Sequence, residues 1–222
     1  MKIAILVYPG MTALDAVGPY EVLAQLRGAE VSFVGRQRGP VTCDTGALTL
    51  LAEKSIDEVP LADVLLVPGG PGDQRARADE RLLSWLRAIH AGSRWTTSVC
   101  TGSLILGAAG VLEGLKATTH WLRLEALADY GAKPVAARFV EAGKVITAAG
   151  VSAGIDMALH LAAREAGERV AQAIQLSLEY DPQPPFACGA PQKAPEALVE
   201  AVSGAFDGIM AERMAKLEQA GS

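Results

Sequence analysis

Short, nearly continuous apolar runs recur along the chain and alternate with segments of helical periodicity. Runs of this kind are typical of parallel strands that are buried on both faces. They occupy Lys2 to Tyr8, Glu30 to Gly35, Ala62 to Val67 and Trp95 to Val99. Strands that alternate with helices imply a mainly parallel sheet with right-handed crossovers. The pattern therefore predicts an α/β fold.

The remaining segments predict helices and two hairpins. Helical patterns cover Thr12 to about Leu26, with Thr12 as the capping residue, then Asp79 to His90, Thr101 to Ala109, Ser152 to Ala166, Glu168 to about Leu178, and Pro195 to Leu217, the last broken around Gly204 and Gly208. Hairpins are predicted within Val41 to Leu51 and between Val135 to Val140 and Lys144 to Ala148. Ser55 to Glu58 has the spacing of a capping box. Without a linker long enough to separate domains, we expect a single domain over residues 1–222.

Three of the predicted strands end in residues that can carry chemistry. The segments that follow them are Pro9 to Asp15, Pro68 to Gly72, and Cys100 with its neighbours. Sites in sheets of this kind lie beyond the carboxyl ends of the strands. We therefore expect these three segments to converge.

Cys100 lies where an apolar strand meets a predicted helix. Ser98 and Gly102, two residues to either side, are small enough for the sharp turn of a nucleophile elbow, with cysteine in the place of serine. A thiol at a helix N-terminus lies next to unpaired N–H groups and the positive end of the helix dipole, and both favour the reactive thiolate. The alternative is a small buried residue that fills a tight turn. The spacing favours a reactive Cys100.

Asp15 and the turn at Pro68-Gly69-Gly70 are the candidate partners of this thiol. Asp15 lies in or near the first turn of a helix. There it could exchange a proton with Cys100 or a substrate, or only stabilise its own helix N-terminus. In the turn, the Gly70 amide could hold a developing negative charge together with the amide of Thr101. A tight turn without a catalytic role is the alternative.

The three histidines and the other two cysteines are weaker candidates for a functional role. His120 follows the helix that begins at Cys100 and could line a pocket, whereas His90 complements a helix C-terminus and His160 fits a packed position. Cys43 and Cys188 have no elbow around them.

Composition excludes several classes of function. The formal net charge is −5 and no basic run is present, which argues against nucleic-acid binding. No apolar run reaches the roughly 20 residues of a membrane span, and the start lacks the pattern of a signal peptide. Three cysteines at unrelated spacings suggest neither a disulfide framework nor a zinc site, so a reducing cytoplasm is expected.

Taken together, the motifs resemble the PfpI/ThiJ superfamily, whose fold is like that of the class I glutamine amidotransferases. The matching segments are Val7 to Asp15, Gly18 to Val22, Val67 to Gly72, Ser98 to Gly102, Ala117 to Trp121, Ala149 to Asp156 and Glu179 to Phe186. They cover nearly the whole chain and are jointly specific for the superfamily.

This resemblance implies a flavodoxin-like three-layer sandwich with a mainly parallel central sheet, a cysteine at a nucleophile elbow and a homodimer. By position it makes Cys100 the nucleophile, Asp15 the acidic partner and Thr101 the neighbouring hydroxyl. We expect the residues that bind substrate or an oxyanion to be Gly69, Gly70 and His120.

More narrowly, the chain resembles the isonitrile hydratases of this superfamily. That similarity implies cysteine-dependent hydration of an isonitrile to the N-substituted formamide through a covalent thioimidate, with no metal or organic cofactor. Thr101 stands where the peptidase-like branch has histidine, which argues against protease activity. The redox-sensing branch usually has glutamate as the acidic partner, so aspartate at position 15 favours the hydratase.

Two other functions share these motifs. Related transcription regulators use such a domain as a sensor and carry a helix-turn-helix region after it, whereas here 36 residues follow Phe186. A glyoxal-directed stress enzyme or a redox sensor would need the same reactive thiol. Oxidation-dependent activity would separate a redox sensor from a hydratase.

Overall fold

The computed structural model describes residues 1–220 and has eleven strands and seven α-helices in that range. The strands are β1 Lys2–Leu6, β2 Glu30–Gly35, β3 Gly39–Thr42, β4 Thr49–Ala52, β5 Lys54–Ser55, β6 Val64–Val67, β7 Trp95–Val99, β8 Lys116–Ala117, β9 Lys133–Pro134, β10 Phe139–Ala142 and β11 Val145–Ala148. The helices are α1 Ala13–Leu23, α2 Asp73–Ala78, α3 Glu80–Gly92, α4 Gly102–Ala108, α5 Ala153–Ala166, α6 Glu168–Ser177 and α7 Glu196–Ala220.

A mainly parallel seven-stranded sheet forms the centre of the fold, which confirms the predicted α/β architecture. Its order is β10-β11-β7-β6-β1-β2-β5, and only the β10–β11 pair is antiparallel. Every residue of β6 is buried, as expected for a strand covered on both faces. Helix α1 packs against α5, and α4 packs against α2 and α3. The sheet is therefore flanked by helices.

Register brings the three chemical segments together. Leu66 on β6 pairs with Ile5 on β1 and with Thr97 on β7, so these central strands end at the same edge of the sheet. The backbone amide of Thr12 donates to the Gly69 carbonyl oxygen at 2.8 Å, which ties the segment after β1 to the turn after β6. The expected convergence is confirmed.

Local predictions were right at most elements and wrong at a few. The β3–β4 and β10–β11 hairpins and the Ser55 capping box are present. Thr12 does precede α1, but its hydroxyl donates to Asp44 at 3.2 Å and makes no capping bond. The predicted strand from Val135 begins only at Phe139.

The last helix shows the largest difference. The expected breaks at Gly204 and Gly208 are absent, and α7 is continuous over 25 residues. A glycine in a helix interior costs only about 1 kcal/mol, which good helix formers on both sides can offset. Helix α2 was not predicted, because its first residue directly follows a Pro–Gly turn and fits the pattern of that turn.

The elbow at Cys100 depends on close backbone packing. A Cβ atom on Gly102 would lie 2.1 Å from the Val67 carbonyl oxygen, so any larger residue would push α4 away from β6. This contact explains why the residue two places after Cys100 is glycine.

We expect Gly102→Ala to lower the free energy of unfolding by about 2 kcal/mol or more, because overpacking against backbone can relax only by moving an element. Urea denaturation measures it. Gly92→Ala is the matched control, since the nearest atom to its Cβ would be 3.5 Å away. Equal stability of the two variants would refute this account of the elbow.

Candidate active site

Cys100 is held in a left-handed backbone conformation directly after β7. Its φ is 55°, a strained value for a residue other than glycine. Its amide donates to the carbonyl oxygens of Ala148 and Ala149, and its own carbonyl oxygen accepts from the hydroxyls of Thr119 at 2.8 Å and Ser103 at 3.2 Å. These bonds fix the conformation that turns the thiol out of the strand. The predicted elbow is therefore present.

The carboxyl group of Asp15 is fully buried on α1 beside this thiol. Its Oδ2 accepts the Gly69 amide at 2.9 Å, whereas Oδ1 is buried and receives no conventional hydrogen bond from the described residues. Burial raises the pKa of Asp15 to about 7, the charge of Asp44 adds to the rise, and the Gly69 amide and the Cys100 thiol oppose it. Asp15 thus titrates in the range where general acids and bases work.

The thiol is buried too, and this changes one expectation. Desolvation raises the pKa of Cys100 well above its usual value, and the charge of Asp15 raises it further. The backbone amides of Thr101 and Val151 lower it but do not outweigh burial. The amide of Thr101, at the start of α4, thus favours the thiolate as expected, but burial raises the pKa by more than this amide lowers it. Cys100 and Asp15 therefore form a buried, hydrogen-bonded pair in which the charge of one group affects the pKa of the other.

The amides of the Gly69-Gly70 turn are already engaged. Gly69 binds Asp15, and the Gly70 amide donates to the Thr101 Oγ1 at 3.0 Å. Gly70 lines the cavity in front of Cys100. The amide of Thr101, expected to face a developing anion, points instead at the Cys100 sulfur. The turn thus orients the Asp15 carboxyl group and the Thr101 hydroxyl through these bonds.

Asp73 is a site residue that the sequence did not reveal. It is buried at the start of α2 and lines the same cavity as Cys100. Its carboxylate accepts from the Thr101 hydroxyl and from Arg77 at 3.2 Å. Burial raises the pKa of Asp73 in spite of these partners. The one available signal was its position after the Pro–Gly turn that ends β6.

A cavity of about 660 Å³ opens in front of the thiol. His120 is in its wall, as predicted, and its ring stacks on Phe206 with centroids 5.2 Å apart. The His120 Nδ1 accepts the Leu122 amide at 3.4 Å, and burial followed by the charge of Arg123 lowers the pKa of His120. A neutral imidazole is therefore favoured, able to donate through Nε2.

The remaining candidates lie outside this cavity. His90 bonds to Thr96 and His160 to Glu141, while Cys43 is buried and Cys188 exposed. Within residues 1–220, no cluster of three His, Cys, Asp or Glu side chains could hold a metal ion. No helix in that range is long and apolar enough to cross a membrane.

Comparison with known proteins identifies the family of this chain. Residues 1–164 match the DJ-1/PfpI family. The chain belongs to this family. Its fold agrees with a ThiJ/PfpI family protein from Pseudomonas syringae at a TM-score of 0.91 and 40% identity, over 97% of this chain and 90% of that one.

Two named relatives bear on chemistry. The chain is 46% identical to the isonitrile hydratase of Pseudomonas putida over 200 residues, which is 90% of this chain and 87% of that protein. It is 33% identical to the transcriptional regulator GbdR of Pseudomonas aeruginosa over 177 residues, covering 75% of this chain but 46% of the regulator. Of these two relatives, the hydratase is matched over most of both lengths.

The raised pKa of Asp15 predicts how stability depends on pH. Between about pH 4 and 7 the native state binds a proton that the unfolded state has released, so Asp15 lowers the free energy of unfolding as pH rises through this window. We expect Asp15→Asn to be more stable than the wild type by about 2–4 kcal/mol at pH 8 and by little near pH 4.

Urea denaturation at several pH values measures this difference, with the exposed Asp129→Asn as the control. A gain that is the same at every pH would show that Asp15 is not protonated by burial.

Proposed function

We propose that this protein hydrates isonitriles to N-substituted formamides, with Cys100 as the nucleophile and Asp15 as the acid and base. The observation that carries the proposal is the buried pair of Cys100 and Asp15, in which Cys100 lines a cavity large enough for a small substrate. Its similarity to the Pseudomonas putida enzyme supports the same reaction.

In the first half of the reaction, the Cys100 sulfur attacks the terminal carbon of R–N≡C. The carboxylate form of Asp15 takes the thiol proton and then, as the carboxylic acid, delivers it to that same carbon, which leaves the thioimidate R–N=CH–S–Cys100. Because burial raises the pKa of both groups, the proton that the isonitrile carbon must receive stays on Cys100 or Asp15. The bond to sulfur forms as the isonitrile carbon gains its hydrogen.

In the second half, water attacks the thioimidate carbon. One water proton goes to nitrogen through the carboxyl group of Asp15, and the other returns to sulfur as the C–S bond breaks. The products are R–NH–CHO and the original thiol. Water and isonitrile are together the only reactants consumed, so the balance requires no oxidant, metal or organic cofactor.

The other residues orient this pair. The Thr101 hydroxyl lies between the Gly70 amide and Asp73, from which it can position the attacking water. The Gly69 amide holds the Asp15 carboxylate, and His120 closes the cavity wall. We further propose a homodimer that works in the reducing cytoplasm, where the three free cysteines stay reduced.

The direct test is formation of N-cyclohexylformamide from cyclohexyl isocyanide by the purified protein. We expect turnover by the wild type, none by Cys100→Ala, and a large loss in Asp15→Ala. Cys188→Ser, which changes an exposed cysteine that does not line the cavity, is the matched control and keeps full activity. No turnover by folded, reduced wild type would favour a sensor or a glyoxal-directed enzyme instead.

The hydroxyl of Thr101 is tested separately. Thr101→Val leaves the buried Gly70 amide without an acceptor, so we expect a lower kcat and a loss of about 1–3 kcal/mol in unfolding free energy. Thr101→Ser keeps the hydroxyl and should retain both. Equal kcat values for the Val and Ser variants would remove Thr101 from the mechanism.

A further inference from the structure

Helix α7 forms one wall of the cavity in front of Cys100. Phe206, Met210 and Met214 follow one another at intervals of four residues, the spacing that places side chains on a single face of a helix. All three line the cavity. Ile209, between them in sequence, is 44% exposed and does not line it. The inner face of α7 therefore carries an aromatic and two thioether groups at four-residue intervals, flanked by Asp207, Ala211 and Arg213, which also line the cavity.

Two ion pairs hold this face in place. Arg213 on α7 bonds to Asp44 at 2.5 Å, and Asp207 on α7 pairs with Arg123. The Asp44 side chain is only 7% exposed, so loss of Arg213 would leave a buried charge without its partner. The contacts link α7 to the segment between β3 and β4 and to the segment that follows His120.

Close packing fixes the stripe further. A Cβ atom on Gly10 would lie 2.9 Å from the Met214 Sδ, so Met214 sits directly against the loop that leads to Asp15. At the other end, Phe206 stacks on His120, and the Arg123 guanidinium lies 5.1 Å from the Phe206 ring centroid. The wall is thus anchored at both ends of the cavity.

The linear shape of an isonitrile determines which part of the substrate contacts this wall. The C≡N–R unit is linear, so when its terminal carbon is at the sulfur the R group points straight away from the cavity floor. The family match ends at residue 164, whereas α7 begins at Glu196. The floor is therefore built from residues within the family match, and α7 adds a wall from outside it.

We propose that Phe206, Met210 and Met214 are the residues that determine substrate specificity, and that they select isonitriles with a compact apolar R group, such as cycloalkyl or aryl. This inference rests on the proposed function. Aromatic and methionine side chains suit such a group, because they bury apolar surface and methionine adapts to irregular shapes.

The test compares kcat/KM for cyclohexyl isocyanide and methyl isocyanide. We expect Met210→Ala and Phe206→Ala each to lower the cyclohexyl-to-methyl ratio by about tenfold, mainly through a higher KM for the cyclohexyl substrate, since apolar contacts discriminate by about 10–200-fold. Met210→Gln, which retains the length of the side chain, should lower the ratio as well. Ile209→Ala, on the outer face of the same helix, leaves it unchanged. An unchanged ratio in all the inner-face variants overturns the proposal.

A second measurement distinguishes failure of the proposed recognition by α7 from failure of the proposed hydratase function. In a Cys188→Ser background, the rates at which N-cyclohexylmaleimide and N-methylmaleimide alkylate Cys100 report on the same wall without isonitrile turnover. A lower cyclohexyl-to-methyl rate ratio in Met210→Ala, with Ile209→Ala unchanged, supports apolar recognition even if no isonitrile is hydrated. Equal ratios in wild type and Met210→Ala overturn it even if the wild type is a hydratase.

Discussion

The left-handed backbone of Cys100 is the constraint on which the site depends. A positive φ at a residue other than glycine costs about 1–3 kcal/mol, and it persists only where the surroundings over-determine it. Here the hydroxyls of Thr119 and Ser103 hold the Cys100 carbonyl oxygen, and the contact of Gly102 with Val67 brings α4 close to β6. Together they turn the sulfur away from the strand and towards the cavity.

That geometry also buries the sulfur beside Asp15, and burial then sets the chemistry. In water, a thiol and a carboxyl group titrate independently, each at its usual pKa. Here desolvation raises the pKa of both groups. The proton that leaves sulfur has an acceptor next to it, and the Gly69 amide keeps that acceptor oriented. Such a pair suits addition of a thiol and a proton to the same carbon atom.

Much of this could be predicted from the sequence because it depends on local patterns. Buried apolar runs indicate parallel strands, and small residues around Cys100 indicate an elbow. The sequence left open whether Asp15 served the thiol or only its own helix, because that depends on how α1 packs. Asp73 was missed since its bond to Thr101 follows from the direction of α2. Arg213 and Asp44 are 169 positions apart, and no local pattern predicts such a contact.

The central claim is that the reaction passes through a covalent bond to Cys100. Intact-protein mass spectrometry after rapid mixing with cyclohexyl isocyanide tests it most directly, with peptide mapping of the modified protein. We predict a transient mass increase equal to one molecule of the isonitrile, located on the peptide that contains Cys100 and absent from Cys100→Ala. Formamide production by protein that stays unmodified throughout turnover, or by the Cys100→Ala variant, would contradict the account.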